Sequence, residues 1–289
     1  MEVGFVGVGN MGLPMARNLL RGGHGLVVWD VRPQATEELE LMGAIRAQNL
    51  NQVAASTRVT LLSLPDEKIV DDVICGPNGL LSGSQAGDTI FDLSTVSPAS
   101  TRRVAEKCAR NGVTVIDAPV TGSVTGAVSG TLTLMIGATK EAIEPFEPVL
   151  RSIGTTLLYL NEVGLGNSLK LLNNLVSLTN QAALCEAMAL SDRLGIPRRL
   201  VGEVLSKGSA DSFILNRKLD DIANHDYRPG FFIDLAYKDL GLILDLAAAV
   251  DARVGVVKET RALYGDAAKA GFGKLDGSGI LAVLEPGEK

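Results

Sequence analysis

Short β-rich runs and helical stretches alternate through residue 160. Val3-Gly4-Phe5-Val6 leads through a glycine-rich turn into a helical stretch over 15–20. Leu26-Val27-Val28-Trp29 follows, and then Pro33 opens a helix that Gly43 closes. Further strands are expected at 59–64, 89–93, 113–116, 132–136 and 156–160. Such alternation predicts an α/β, doubly wound, mostly parallel sheet with helices on both faces. Beyond residue 161 the strand signal stops. From 166 to about 195 no proline interrupts, and apolar residues recur on nearly every helical face around a few Asn, Lys and Glu. A helix apolar all round belongs inside a helical assembly or a subunit interface. Amphipathic stretches at 235–250 and 254–270 continue an all-α second domain. The expected division is therefore 1–161 and 162–289, with a long helix joining the two. No repeat, low-complexity segment or disordered linker interrupts this plan.

Composition narrows the function classes. Hydrophobic residues make up 46% of 289, enough for two cores. Aromatics are only 4%, net charge is −6, and no Lys/Arg run occurs, so nucleic acid is not an expected partner. No apolar run approaches the roughly 20 residues of a membrane span, and the start lacks the basic region of a signal peptide. Cys75, Cys108 and Cys185 lie far apart in sequence without metal-ligand spacing, and read as reduced thiols in a cytoplasmic protein. His24 and His225, the only histidines, read as surface residues, and no metal site is assigned.

Gly7-Val8-Gly9-Asn10-Met11-Gly12 is a G-x-G-x-x-G between the first strand and the first helix. The first glycine permits the tight turn, the second admits a pyrophosphate, and the third lets helix and strand pack. The helix N-terminus then offers N–H groups and partial positive charge, making 1–161 a Rossmann-type NAD(P)-binding domain. Asp30 ends the second strand, where a carboxylate accepts from a ribose diol and repels a 2′-phosphate. This favours NAD. Arg32, two residues on, keeps NADP open, since a guanidinium there could hold a 2′-phosphate as well as stack on adenine or face solvent.

Lys170 and Asn174 are i and i+4 in the long helix, so both project from one face. Burial would move the lysine pKa down toward neutrality, the shift a general acid/base needs. Asn174 could orient the lysine or a substrate hydroxyl. A lysine reaching to solvent beside a structural Asn is the alternative for the isolated Lys-x-x-x-Asn pattern.

Five motifs in order carry a resemblance across the whole chain: Gly7-x-Gly9-x-Met11-Gly12-x-x-Met15-Ala16-x-Asn18-Leu19; Asp92-Leu93-Ser94-Thr95-x-x-Pro98; Asp117-Ala118-Pro119-Val120-Thr121-Gly122; Gly166-x-x-x-Lys170-x-x-x-Asn174; and Asp234-Leu235-x-x-Lys238-Asp239-Leu240. The chain resembles the β-hydroxyacid dehydrogenases, which include 3-hydroxyisobutyrate dehydrogenases and tartronate semialdehyde reductases. The resemblance implies hydride transfer between a nicotinamide and a short 3-hydroxy acid or aldehyde acid. It makes Lys170 the acid/base and puts Thr95 beside the nicotinamide or its ribose, with Leu64-Pro65 skirting the cofactor. Lys238 is implied near the cofactor and Asp239 with the substrate, making 162–289 a substrate and oligomerisation domain. Thr121-Gly122-Ser123 falls where the family binds the substrate carboxylate with Ser-Gly-Gly.

The departures bear on substrate identity. Thr121 keeps a hydroxyl, but Ser123 replaces a glycine and is strained if its φ is positive. Asp276-Gly277-Ser278 lacks a bulky residue after the Asp, and 209–213 is either a recognition loop or a plain helix cap. Two rivals stand beside the hydroxyacid reading. One is an imine-type reductase of the same architecture, and the other a catalytically silent dinucleotide-binding scaffold. The apolar long helix predicts a homodimer or homotetramer.

Overall fold

Successive residues of a strand point to opposite faces of a sheet, and along the central strands both sets are buried and mainly apolar. The structure, a computed structural model, describes residues 1–285. The main sheet contains β1 (Glu2–Val6), β2 (Gly25–Trp29), β3 (Ile45–Arg46), β4 (Val59–Leu62), β5 (Thr89–Asp92) and β6 (Thr114–Asp117). Its order is β3-β2-β1-β4-β5-β6 and every pairing is parallel. Val3, Phe5, Leu26, Val28, Leu61 and Phe91 join one buried cluster, while Val6, Val27, Leu62 and Ile90 join another. A core therefore covers each face, as an all-parallel sheet requires.

Helices α1 (Gly12–Arg21) and α2 (Glu37–Leu41) contribute Met15, Leu19 and Leu39 to the first core. Helices α3 (Leu50–Ser56), α4 (Glu67–Cys75) and α5 (Pro98–Ala109) supply Val53, Val70, Ile74 and Val104 to the second. A smaller sheet follows, ordered β7-β8-β9: β7 (Val120–Thr121), β8 (Leu132–Ile136) and β9 (Gly154–Tyr159). Between its strands lie α6 (Ser123–Ser129), α7 (Lys140–Ile143) and α8 (Glu147–Arg151).

The remainder is helical: α9 (Leu165–Arg193), α10 (Arg198–Leu205), α11 (Phe213–Ala223), α12 (Ile233–Ala249), α13 (Gly255–Ala267) and α14 (Leu281–Leu284). Leu178, Cys185, Met188, Leu215, Ile233, Leu240 and Tyr264 form its buried core. By its contacts the chain divides into Met1–Lys170 and the residues from Leu171 on, the division falling inside α9.

The doubly wound sheet and the long helix match expectation, with local differences. The strand expected over 59–64 ends at Leu62, and the chain bends at Pro65 and Asp66. The single helix expected from Pro33 is a 3-10 turn, Pro33–Thr36, followed by α2. The last long helix is interrupted after α13 by a π-type turn containing Gly271 at φ 91. Nor is α9 buried all round: Leu172, Val176 and Leu190 are 55–58% exposed.

Candidate active site

The strand order reverses between β1 and β4, and in open parallel sheets ligands bind beyond the strand ends at such a point. The glycine-rich turn stands there. Gly7 has φ +87, and a Cβ on it would run into the Ser63 carbonyl; a Cβ on Gly12 would run into the carbonyl of Gly7. Those two glycines serve the fold itself. Gly9 does not: among the described residues other than its chain neighbours, only the Arg32 guanidinium comes within 4 Å of a Cβ placed there, at 3.9 Å. The turn is thus bare backbone facing open space, the form a pyrophosphate needs. Helix α1 has no capping side chain and no acidic residue in its first turn, so its positive end is not neutralised locally. Asn10 is exposed and Met11 half-buried in the same turn. Asp30, 7% exposed, accepts from Val8 N–H at 2.9 Å and from Arg32 N–H at 2.9 Å. Arg32 Nε pairs with Asp30 at 3.3 Å on a side chain that is 66% exposed. The carboxylate is therefore fixed against the turn by its own hydrogen bonds.

The next two strand ends are fastened to each other. Leu64 N–H donates to Ser94 Oγ at 2.9 Å, and Ser94 N–H donates to Asp92 Oδ1 at 2.9 Å. Ser97 caps α5 by accepting from Ser100 N–H, and its hydroxyl donates to Glu67 Oε2 at the start of α4 at 2.6 Å. Leu64 and Thr95 are half-buried, and Pro65 is exposed.

Asp117 ends β6 and is completely buried. Its Oδ1 accepts from Gly164 N–H and its Oδ2 from Asn167 N–H, each at 2.8 Å. Burial pushes its pKa above the ordinary carboxylate value, against the pull of those N–H groups and of Arg102. A carboxylate at this end of the 29-residue α9 is aligned with the helix dipole. Asn167 is also fully buried: its Oδ1 accepts from Val96 N–H at 3.1 Å, and its Nδ2 donates to Thr101 Oγ1 at 3.2 Å. Lys170 follows three residues later, partly buried. Thr121-Gly122-Ser123 links β7 to α6, with Gly122 at φ +127 and Ser123 at φ +65. The strain foreseen for Ser123 is present.

Among residues from Leu171 on, Asn174 Nδ2 donates to Asp239 Oδ2 at 2.7 Å, both groups buried. Asn173 Nδ2 donates to Asn174 Oδ1 at 3.1 Å, and Lys238 Nζ lies 3.1 Å from Asp239 Oδ1. Asp239 therefore fixes the Asn174 amide. Asp276 pairs with Lys218 at 2.9 Å and accepts from Ser278 N–H and Oγ. Burial alone would raise its pKa, but Lys218 and the Ser278 bonds outweigh this and hold it below the ordinary value.

Several residues emerge only in three dimensions. Asp117 sits inside a recognised motif, but its capping of α9 links positions 47 and 50 residues apart. Asn167 could have been flagged as a polar residue in the first turn of an otherwise apolar helix. Ser212 is the N-cap of α11, accepting from Leu215 N–H, so the plain cap describes that end of 209–213. His225 is exposed; His24 is half-buried beside Ser152, its pKa lowered chiefly by burial. Among the described residues, no group of three or more His, Cys, Asp or Glu is arranged to hold a metal, and no helix is long and apolar enough to cross a membrane.

Known proteins are similar to this chain along its length. Residues 2–162 match the family described as the NAD binding domain of 6-phosphogluconate dehydrogenase. Residues 164–284 match that described as NAD-binding of NADP-dependent 3-hydroxyisobutyrate dehydrogenase. A 2-(hydroxymethyl)glutarate dehydrogenase of Eubacterium barkeri is 35% identical, covering 99% of this chain and 95% of its own. A 2-hydroxy-3-oxopropionate reductase of Escherichia coli is 34% identical, covering 99% and 97%. The crystal structure of a 3-hydroxyisobutyrate dehydrogenase from Salmonella typhimurium superposes with a TM-score of 0.91 at 28% identity, covering 98% of this chain and 99% of that one. The chain belongs to the β-hydroxyacid dehydrogenase family of NAD(P)-dependent 3-hydroxyacid dehydrogenases and semialdehyde reductases.

Proposed function

We propose that this chain interconverts a short 3-hydroxy acid and its aldehyde acid, with Lys170 as general acid/base and NAD as the preferred cofactor. The observation that carries the reading is the placement of Lys170 and Asn174 one turn apart on α9, the Asn174 amide being held by buried Asp239. Asp239 takes one of the two Nδ2 hydrogens of Asn174, leaving the other to donate to the reacting oxygen of the substrate. In reduction Lys170 Nζ delivers a proton to that oxygen; in oxidation the neutral amine removes it. When bound, the nicotinamide supplies or accepts the hydride. The Thr121 hydroxyl and the backbone N–H groups of the positive-φ turn at Gly122 and Ser123 receive the substrate carboxylate. The preference for NAD is supported by Asp30, whose fixed carboxylate repels a 2′-phosphate, and by Arg32, already paired with it.

The exposed Leu172, Val176 and Leu190 of α9 support a homodimer or homotetramer built on that helix, and the three free cysteines support a cytoplasmic setting. The test is turnover of NADH and NADPH against a panel of short aldehyde acids, with Lys170→Ala in parallel. The expected loss for that variant is about 10²–10⁴-fold. Undiminished turnover by Lys170→Ala would sink the acid/base assignment. Equal efficiency with both cofactors would sink the NAD preference.

A further inference from the structure

We propose that Asn167, itself fixed by Asp117, is a positioning residue that sets the Thr95 peptide relative to the Lys170 turn of α9. The inference rests on the assignment of Lys170 as the proton carrier. Asn167 joins three segments distant in sequence. Its own N–H goes to Asp117 on β6, its Oδ1 takes the Val96 N–H in the β5–α5 loop, and its Nδ2 reaches Thr101 on α5. The separations are 50, 71 and 66 residues, and all three bonds are buried.

The Val96 N–H belongs to the same planar peptide unit as the Thr95 carbonyl. A hydrogen bond to that N–H therefore fixes the orientation of the Thr95 peptide. At the other end, Asn167 and Lys170 are i and i+3, neighbours on the helix surface. One short side chain thus connects the loop assigned to the nicotinamide with the helical turn that carries the acid/base. An asparagine suits this role because it offers an acceptor and a donor on one short stem. Alanine would leave the Val96 N–H buried without this partner, and the loop could satisfy that group only by moving. Asp117 makes the arrangement rigid from below, since its two oxygens grip the backbone at Gly164 and Asn167.

Hydride and proton must reach adjacent atoms of one substrate, and a misplacement of about 1 Å can cost on the order of 10²-fold in rate. The expected effect of Asn167→Ala is a fall in kcat of about 10–100-fold, with KM for cofactor and acid nearly unchanged. Two variants separate positioning from stability. Thr101→Val removes the partner of Nδ2 but keeps the bond to Val96; it should lower the Tm and leave kcat near that of the wild type. Asn167→Asp keeps an acceptor for Val96 but adds a second carboxyl beside Asp117; it should be less stable and still retain most of kcat.

Steady-state kinetics and melting temperatures of these variants, run beside Lys170→Ala, decide the matter. The inference holds if kcat follows the Val96 bond: low in Asn167→Ala, retained in Thr101→Val and Asn167→Asp. It is overturned if kcat falls in proportion to Tm across all three, or if Asn167→Ala keeps wild-type kcat. Should Asn167→Ala not fold, loss of kcat in a folded Asn167→Asp would overturn it equally. Failure of the Lys170 assignment is read separately, from Lys170→Ala alone.

Discussion

Ser123 stands at φ +65 where the family places glycine, immediately after Gly122 at φ +127. A residue with a Cβ pays roughly 1–2 kcal/mol to adopt the left-handed region. Replacing it by glycine relieves that strain, while the greater freedom of glycine in the unfolded chain returns roughly 0.4–1 kcal/mol. The net expectation is stabilisation by about 0.5–1 kcal/mol. Ser123→Gly also removes the hydroxyl. Ser123→Ala removes the hydroxyl as well but keeps the strain, so the difference between the two variants isolates the backbone effect. Urea unfolding at constant m reads it directly, and in a domain of this size Ser123→Gly should melt roughly 1–4 °C above Ser123→Ala. An alanine variant as stable as the glycine variant would refute the reasoning. The same pair reports on function. If the hydroxyl binds the substrate carboxylate, both variants raise KM for the acid by a similar factor, about tenfold or more for a charge-assisted hydrogen bond.

Gly9→Ala should weaken cofactor binding, measured by titration of cofactor fluorescence, while leaving the Tm nearly unchanged, because among the described residues other than its chain neighbours a Cβ at Gly9 meets no atom closer than 3.9 Å. Gly12→Ala should instead destabilise the fold, its Cβ colliding with the Gly7 carbonyl. Lys218→Met should cost about 3–5 kcal/mol at neutral pH by stranding buried Asp276. Because the folded pKa of Asp276 is lowered, its contribution is present above about pH 3.9 and lost as pH falls through the folded value; stability curves of the variant should have a flatter acid limb. Asp117 runs the other way. Its pKa is raised, so its share of stability declines as pH rises from the unfolded carboxylate value through the folded one, and Asp117→Ala should remove that decline from the curve while destabilising the fold. Leu172→Glu combined with Val176→Glu should shift the solution mass, measured by light scattering, from oligomer to monomer; a wild type already monomeric would rule out the α9 interface.

What the sequence disclosed about the fold follows from how local each signal is. Five of the six strands of the main sheet were legible because they are largely apolar runs bounded by turn residues, a pattern set by burial on both faces. β3 and β7 are two residues each, too short to carry a period, and exist only because β2 and β8 offer partners. The exposed stripe of α9 was hidden for a related reason. Leucine and valine look alike in sequence whether they face a core or the outside of a single protomer.

At the candidate site the same distinction separates residues with a local signature from those without one. Gly7 and Gly12 are readable because backbone conformation and close approach demand glycine at fixed spacing from a strand. Lys170 and Asn174 are readable because a helix turns their spacing into a shared face. Asp117 and Asn167 have no such spacing: the groups that donate to the Asp117 carboxylate and to Asn167 Oδ1 lie 47 to 71 residues away and are backbone N–H groups, which every residue except proline possesses. An N–H donor leaves no mark on composition, so the bond that orients the Thr95 peptide is invisible until the strands are assembled. A buried carboxylate or amide is costly unless satisfied. The presence of Asp117 and Asn167 in an apolar setting was therefore itself a signal that backbone donors would converge on them, without saying which. The fold supplies that identity by bringing the end of β6, the β5–α5 loop and the first turn of α9 to one point.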